Sequence, residues 1–362
     1  MKKILLTVAA IFIMVSTSVF GMYGIVENAW IDFLVHGNQF RARANQLGFT
    51  LGNGTIKGTF GFKANTGLLG SIVGSGRYNV LDAFNPTVSA GIGYTSEMIG
   101  VGVGYNFTYV DKQKQVHTPV LVLNALNNNL RIAVPIQVAV YERASGSTLK
   151  YTDIGFNNLQ LRFFTGIDAF NAIRVLAYYR SSRWESKEFN YLEEKMENFG
   201  LQLRFYFAKT QVGNVTVNPY LRLEYHTSIH GGSLSGGGDA FGNPGGYGIA
   251  DNVWTADYNT TGAPHRIVVM PTLTLTAKND IITLYFEPSI GYTAVITEYA
   301  ATKKTTHSVA WGIYSELYIR ASDDLEFYVE AGLNNLAKSV SSGSALTFDG
   351  NCGITWYLPS LN

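Results

Sequence analysis

Cysteine is almost missing from this chain: Cys352 is its only thiol, which excludes an intramolecular disulfide. Charge is scarce too. Asp, Glu, Lys and Arg make up 15% of the 362 residues, against roughly a quarter in an ordinary soluble domain, which argues against a standard cytoplasmic enzyme. The two signs nearly cancel, at a net charge of +1 with no basic run, so nucleic acid is not an expected partner. Beyond the leader, no apolar run approaches the roughly 20 residues of a transmembrane helix. Hydrophobic residues nevertheless reach 46%, so the hydrophobicity is spread along the chain rather than blocked. Glycine is abundant, at 38 residues, as are Tyr at 22 and Phe at 21. That mixture suits extended strands and tight turns.

Met1-Lys2-Lys3 precedes the apolar run Ile4 to Phe20, followed by Gly21. This is the pattern of a secretory signal cleaved after Gly21, leaving residues 22–362 as a single exported domain. The run is short for a retained anchor, and Ser and Thr interrupt its end.

In the mature part the hydrophobicity has period two. From Leu130 to Tyr141 every even position is apolar while the odd ones include Arg131, Gln137 and Tyr141. The same alternation runs through Ile99 to Val110, Phe199 to Ala208 and Leu325 to Leu333. These are half-buried strands. Turn-like links at about Ser96 to Met98, Asn127 to Asn129, Asp168 to Asn171, Lys209 to Asn214, Lys278 to Asp280 and Ala321 to Asp324 alternate with longer polar links. The latter fall at Asp111 to His117, Glu142 to Gly155, Ser181 to Asn198, Thr227 to Pro264, Ile296 to His307 and Asn334 to Gly343. An outer-membrane barrel has this asymmetry, whereas a Greek-key sandwich has no reason to obey it.

The expected fold is therefore an all-β, transmembrane, antiparallel up-and-down β-barrel. Thirteen segments run from Thr87 to Leu358, and three more candidates precede them: Trp30 to His36, Phe40 to Thr50 and Thr55 to Ala64. The sum is 16, an even number as in single-chain bacterial barrels; 14 stays open if the first hairpin is a cap.

In a barrel, charges inside strands must face the lumen, because Arg or Lys on the lipid face costs on the order of 2–4 kcal/mol at the midplane. A basic wall is expected from Arg41, Arg43, Arg131, Arg162, Arg174, Arg204 and Arg222, and an acidic wall from Glu224, Glu287, Glu316, Glu326 and Glu330. Across a wet lumen such walls make a transverse field that favours small polar solutes; the alternative is a charge network filling a closed interior. Pro135, Pro219, Pro271 and Pro288 cannot donate ladder bonds and are read as bulges or strand starts near the rim. Gly91, Gly93, Gly100, Gly102 and Gly104 share one face and are read as curvature with little side-chain volume.

No catalytic site is expected. The histidines His36, His117, His226, His230, His265 and His307 fall near strand ends or in loops without ligand spacing, and a metal site from His226, His230 and His265 is weakly supported. There is no Gly-x-Ser-x-Gly elbow, and no cofactor is implied. Tyr94, Tyr105, Tyr109, Tyr178, Tyr225, Tyr292 and Trp356 read as interfacial girdles.

The segments Met22-Tyr23-Gly24, Trp30-Ile31-Asp32-Phe33-Leu34-Val35-His36-Gly37-Asn38-Gln39 and Gly52-Asn53-Gly54-Thr55-Ile56-Lys57-Gly58-Thr59-Phe60-Gly61-Phe62 resemble the variable surface proteins (Vsp) of intestinal spirochaetes. The resemblance is clearest over residues 1 to 65. It implies a major immunogenic outer-membrane protein from a multigene set that varies the surface seen by a host, with no catalytic motif to carry over. The expectation is a surface antigen with porin-like diffusion of small solutes. A closed antigenic barrel and, more distantly, a barrel enzyme are the alternatives. Expected partners are outer-membrane lipid, host antibodies or host surface molecules at the long loops, and a second copy of the chain.

Overall fold

The computed structural model describes residues 30–44, 46–63, 86–109, 114–141, 149–186, 192–230, 265–299, 302–335 and 347–361. The expected signal segment with its cleavage at Gly21, and the glycine-rich interior of the 227–264 loop, lie outside the described residues.

A single turn of 3-10 helix, η1 (Trp30–Asp32), precedes twenty β segments. The first ten are β1 (Gln39–Arg43), β2 (Gln46–Gly52), β3 (Ile56–Lys63), β4 (Thr87–Thr95), β5 (Gly100–Tyr109), β6 (Lys114–Ala125), β7 (Leu130–Pro135), β8 (Gln137–Tyr141), β9 (Leu149–Ile167) and β10 (Phe170–Ser186). The rest are β11 (Leu192–Phe207), β12 (Thr210–Val212), β13 (Val215–Val217), β14 (Tyr220–His230), β15 (His265–Thr272), β16 (Leu275–Lys278), β17 (Ile282–Tyr299), β18 (Thr302–Arg320), β19 (Leu325–Asn334) and β20 (Thr347–Tyr357). Four pairs are single strands with a local break: β7 with β8, β11 with β12, β13 with β14, and β15 with β16. Counted so, sixteen antiparallel strands follow one another in chain order. β1 pairs with β20, bringing Phe40 opposite Trp356, and the sheet closes on itself.

The alternation in sequence becomes an outside and an inside. Phe60 (44% exposed), Val103 (54%), Leu121 (52%), Ile290 (66%) and Val309 (60%) stand outward. The neighbouring positions Thr59, Asn106, Val120 and Val122 are buried inward. An apolar belt around the whole wall is far larger than a soluble monomer tolerates, and hydrocarbon is the solvent it fits.

The number sixteen is right, but two of the first three assignments are not. Trp30 to His36 is no strand; it is η1 and the turn after it. Phe40 to Thr50 is two strands, since β1 ends at Arg43 and β2 starts at Gln46 with Phe40 facing Phe49. The connection is too short to show in composition, so a hairpin passed for one strand, and the two errors cancel.

Several expected loops are also largely strand. β9 covers the second half of Glu142 to Gly155, and β10, β11, β17 and β18 run through most of Ser181 to Asn198 and Ile296 to His307, as in the ladder from Ile296↔Thr305 to Tyr299↔Thr302. The 19 residues of β18 reach roughly 60 Å, about twice the hydrocarbon thickness. Beyond the membrane both faces of a hairpin can be polar, so the loss of alternation marked the membrane boundary rather than the end of the strand.

Two prolines stand at strand breaks. Pro135 closes β7, and Pro219 immediately precedes β14, where its carbonyl accepts from Phe207 N at 3.0 Å. Pro271 lies one residue from the end of β15, whereas Pro288 sits inside β17 opposite Ile313.

Candidate functional site in the barrel lumen

The chain ahead of β1 turns into the barrel instead of extending its wall. Phe33 N donates to Trp30 O at 3.2 Å and His36 N to Asp32 O at 3.2 Å, making a compact turn. From it Trp30, Ile31, Phe33 and Leu34 project, each no more than 1% exposed. They cluster with Val120, Val122 and Ala133 of the inner wall.

The inward glycines of β4 and β5 make the groove that receives them. Gly91 pairs with Gly104 and Gly93 with Gly102 across the two strands. A methyl group on Gly91 would stand 2.5 Å from the Trp30 ring, one on Gly104 would overlap the same ring, and one on Gly102 would lie 3.2 Å from a Leu34 methyl. The glycines therefore clear space for a plug. Polar contacts fix its pose: Trp30 Nε1 donates to Asn106 Oδ1 at 3.3 Å. Lys57 Nζ donates to the carbonyls of Leu34 (2.8 Å) and His36 (2.7 Å), which the end of a helical turn leaves without intrahelical partners. Asn38 Nδ2 donates to Gly52 O at 2.8 Å and Pro359 O at 2.7 Å, tying the plug's exit to both ends of the barrel chain.

Beside the plug runs a ladder of arginines. Arg131 faces Arg162, Arg162 faces Arg174, Arg174 faces Arg204 and Arg204 faces Arg222, one on each of five adjacent strands. Direct cross-strand neighbours stand about 5 Å apart at Cβ. Asp32 of the plug accepts from Arg131 Nη1 at 2.8 Å and from Arg162 Nη1 at 3.2 Å. Arg174 Nη2 donates to Gln160 Oε1 at 3.2 Å, and Arg204 Nε to Gln202 Oε1 at 2.6 Å. Arg222 pairs with Glu224, two residues along the same strand.

The glutamates of β17, β18 and β19 are held by tyrosines. Glu287 accepts from Tyr220 (2.8 Å) and Tyr285, and Glu316 from Tyr314 (2.6 Å) and Tyr318 (2.7 Å). Glu330 accepts from Tyr314 (2.8 Å) and Tyr328, and Glu326 from Tyr357 (3.0 Å). Glu316 and Glu330 lie directly opposite each other on β18 and β19.

Three of the twelve expected wall charges stand away from their expected side. Arg43 lies over the Tyr328 ring, 4.1 Å from its centre, and Arg41, whose Nε donates to Gln39 Oε1 at 2.7 Å, is on the same strand. Closure of β1 on β20 brings both among the glutamates. Glu224, conversely, belongs to the arginine side through Arg222. The tyrosine donors were missed, although Tyr285-x-Glu287, Tyr314-x-Glu316-x-Tyr318 and Tyr328-x-Glu330 carry the spacing that puts both residue types on one strand face.

His226 and His265 fall on opposite faces. His226 stands inside, its Nε2 3.5 Å from Glu224, whereas His265 shares a hydrogen bond of 2.8 Å with Tyr225 on the outer face. The side chain of His230 lies outside the described residues. The Tyr225–His265 pair recurs as Tyr105–His117 and Tyr292–His307, each with the tyrosine hydroxyl against the imidazole Nδ1. Amphipathic rings of this kind suit a membrane–water boundary.

The plug also carries His36, whose titration is coupled to docking. Burial, then the positive charges of Arg41, Arg131, Lys57 and Arg162, push the His36 imidazole down to about 3. The docked plug thus keeps His36 neutral, while a released plug takes up a proton near pH 6.5. Docking should be strongest above pH 6.5 and weaken progressively as the pH falls toward 3. Protease sensitivity of the plug, followed across that range in wild type and in His36→Gln, checks this: the variant should lack the part of the pH dependence that His36 supplies, and identical profiles would refute it.

A family model described as Serpulina hyodysenteriae variable surface protein matches residues 2–357. A search of curated proteins finds no match. Among solved structures, a bacterial polysaccharide outer membrane secretin aligns with a TM-score of 0.47 at 10% identity, over 87% of this chain and 91% of that one. The translocator domain of autotransporter NalP from Neisseria meningitidis aligns with a TM-score of 0.33 at 11% identity, over 91% and 92%. OmpT, an outer membrane protein of Vibrio cholerae, gives 0.32 at 8% identity, over 89% and 96%.

Proposed function

Because the chain belongs to the Serpulina hyodysenteriae variable surface protein family, we propose that it is an outer-membrane barrel that presents its long loops as a variable antigen. On the same reading, small hydrophilic solutes diffuse through its lumen beside the N-terminal plug. The observation that carries the diffusion reading is the lining. Outside the glycine and valine groove that receives the plug, arginines, glutamates, tyrosines and amides take many of the inward positions of the walls. Sixteen strands enclose more space than wall side chains alone fill. Binding of host antibodies or host surface molecules would fall to the far-end loops, of which the 227–264 segment is the longest. Self-association through the apolar belt belongs to the same proposal.

A second reading, a closed antigenic barrel, is favoured by one observation: the plug buries Trp30, Ile31, Phe33 and Leu34 inside the lumen. Planar-bilayer recording of the refolded chain from Met22 separates the two. Discrete, stable current steps are expected. A barrel that shows heat-modifiable gel migration but passes no current would leave surface presentation as the role.

A further inference from the structure

Five guanidiniums in one row have too few carboxylates to balance them. Among the described residues, Asp32 serves Arg131 and Arg162, Glu224 serves Arg222, and Glu287 acts on Arg204 from beside Tyr220, whose hydroxyl donates to Glu287 and whose ring lies 5.4 Å from Arg204. In the middle of the row Arg174 Nη2 and Arg204 Nε meet neutral amides, and Arg204 also meets the Tyr206 hydroxyl. Arg174 Nε is buried and has no hydrogen-bond partner among the described residues. Guanidiniums carried on directly opposed positions of a partly dehydrated wall repel unless an anion lies between them. The row also contains its own indication of what that anion is. Asp32 bridges two adjacent guanidiniums with a single carboxylate, its Oδ1 accepting from both and its Oδ2 lying 3.4 Å from Arg162.

We infer that the ladder from Arg174 to Arg222 is a binding site for anionic solutes bearing phosphate or carboxylate groups, with the plug's Asp32 filling the Arg131–Arg162 end of the row. The planar fork of each guanidinium matches an oxyanion with two parallel hydrogen bonds, which a spherical halide cannot accept. A solute with several anionic groups spans two or three rungs and binds more tightly than one with a single group. The inference deepens the diffusion reading by naming its solute class, and depends on that reading for a route to the site.

The test uses the refolded chain and inorganic tripolyphosphate as probe. In a bilayer under a potassium chloride gradient, the reversal potential should take the sign of anion preference. Tripolyphosphate should block the chloride current, and Arg174→Gln with Arg204→Gln should weaken that block by roughly tenfold. Neutralising Lys303 and Lys304, at the start of β18, should leave the block unchanged. If the double variant fails to fold, Arg174→Lys keeps the charge, removes the fork and should still weaken the block several-fold. Current with cation preference, or a block unaffected by these changes, would overturn the inference while leaving diffusion intact. A silent barrel would overturn diffusion alone. The ladder is then judged in detergent, where tripolyphosphate should raise the unfolding temperature of wild type and not of the double variant; no rise in wild type overturns the binding site as well.

Discussion

Valine in place of Gly104 is expected to expel the N-terminal plug from a barrel that still closes. The added Cβ would occupy the position of the Trp30 ring, and the wall there cannot retreat, because β5 is hydrogen-bonded to β4 on one side and β6 on the other. The ring has no easy escape. It packs edge-on against Phe33 with centroids 5.6 Å apart, and its Nε1 is fixed on Asn106. A β-branched residue in mid-strand favours the wall itself, so the loss falls on docking. Each of Trp30, Ile31, Phe33 and Leu34 contributes about 1.5–3 kcal/mol when fully buried, enough in sum to hold the plug nearly always docked. Trp30→Ala removes the ring without obstructing the groove and should cost about 3–5 kcal/mol of docking. Both variants should gain protease cleavage between Met22 and His36 and show a larger single-channel step, with unchanged heat-modifiable migration. A Gly104→Val barrel with wild-type cleavage and current would mean that the groove is not what holds the plug.

The same segment explains what sequence could and could not disclose. A strand reading of Trp30 to His36 rests on its apolar content, yet Ile31, Phe33 and Leu34 do not alternate, and Asp32 sits among them. Trp30, Phe33 and Leu34 fall instead at i, i+3 and i+4, the spacing of a helical turn with its apolar side against a partner. The glycines at Gly91, Gly93, Gly100, Gly102 and Gly104 were legible as one face, but what they face comes from a segment about sixty residues earlier. The five rungs from Arg131 to Arg222 were legible as lumen candidates because each stands among apolar alternates; their common height was not, since register depends on breaks such as that at Ile136. The circular neighbourhood of Arg43 was hidden for a simpler reason. Closure of a barrel already implies that the first strand borders the last, but the sign of its charge alone groups Arg43 with the other arginines.

That neighbourhood sets the second large effect. Arg43 lies 4.1 Å from the centre of the Tyr328 ring, on the wall where Glu316 and Glu330 oppose each other. Both carboxylates are nearly buried, at 7% and 3% exposed. Three tyrosine hydroxyls, on Tyr314, Tyr318 and Tyr328, donate to the two groups, and hydroxyls supply dipoles rather than countercharge. Arg43→Met preserves much of the apolar stem but takes away the cation, leaving two facing carboxylates in a poorly hydrated wall. Removing one partner of a buried charged group costs about 3–5 kcal/mol, so the variant should fold in lower yield and lose heat-modifiable migration at a lower urea concentration. Tyr328→Phe removes one donor and should cost less, about 1–3 kcal/mol. The decisive comparison is Arg43→Met with Glu330→Gln, which deletes the cation and one of the opposed charges together. If Arg43 acts by balancing that pair, the double variant should recover most of the loss, because contacting charges are not additive. If the two losses simply sum, Arg43 stabilises the wall through packing on Tyr328, and the facing carboxylates are accommodated by their tyrosines alone.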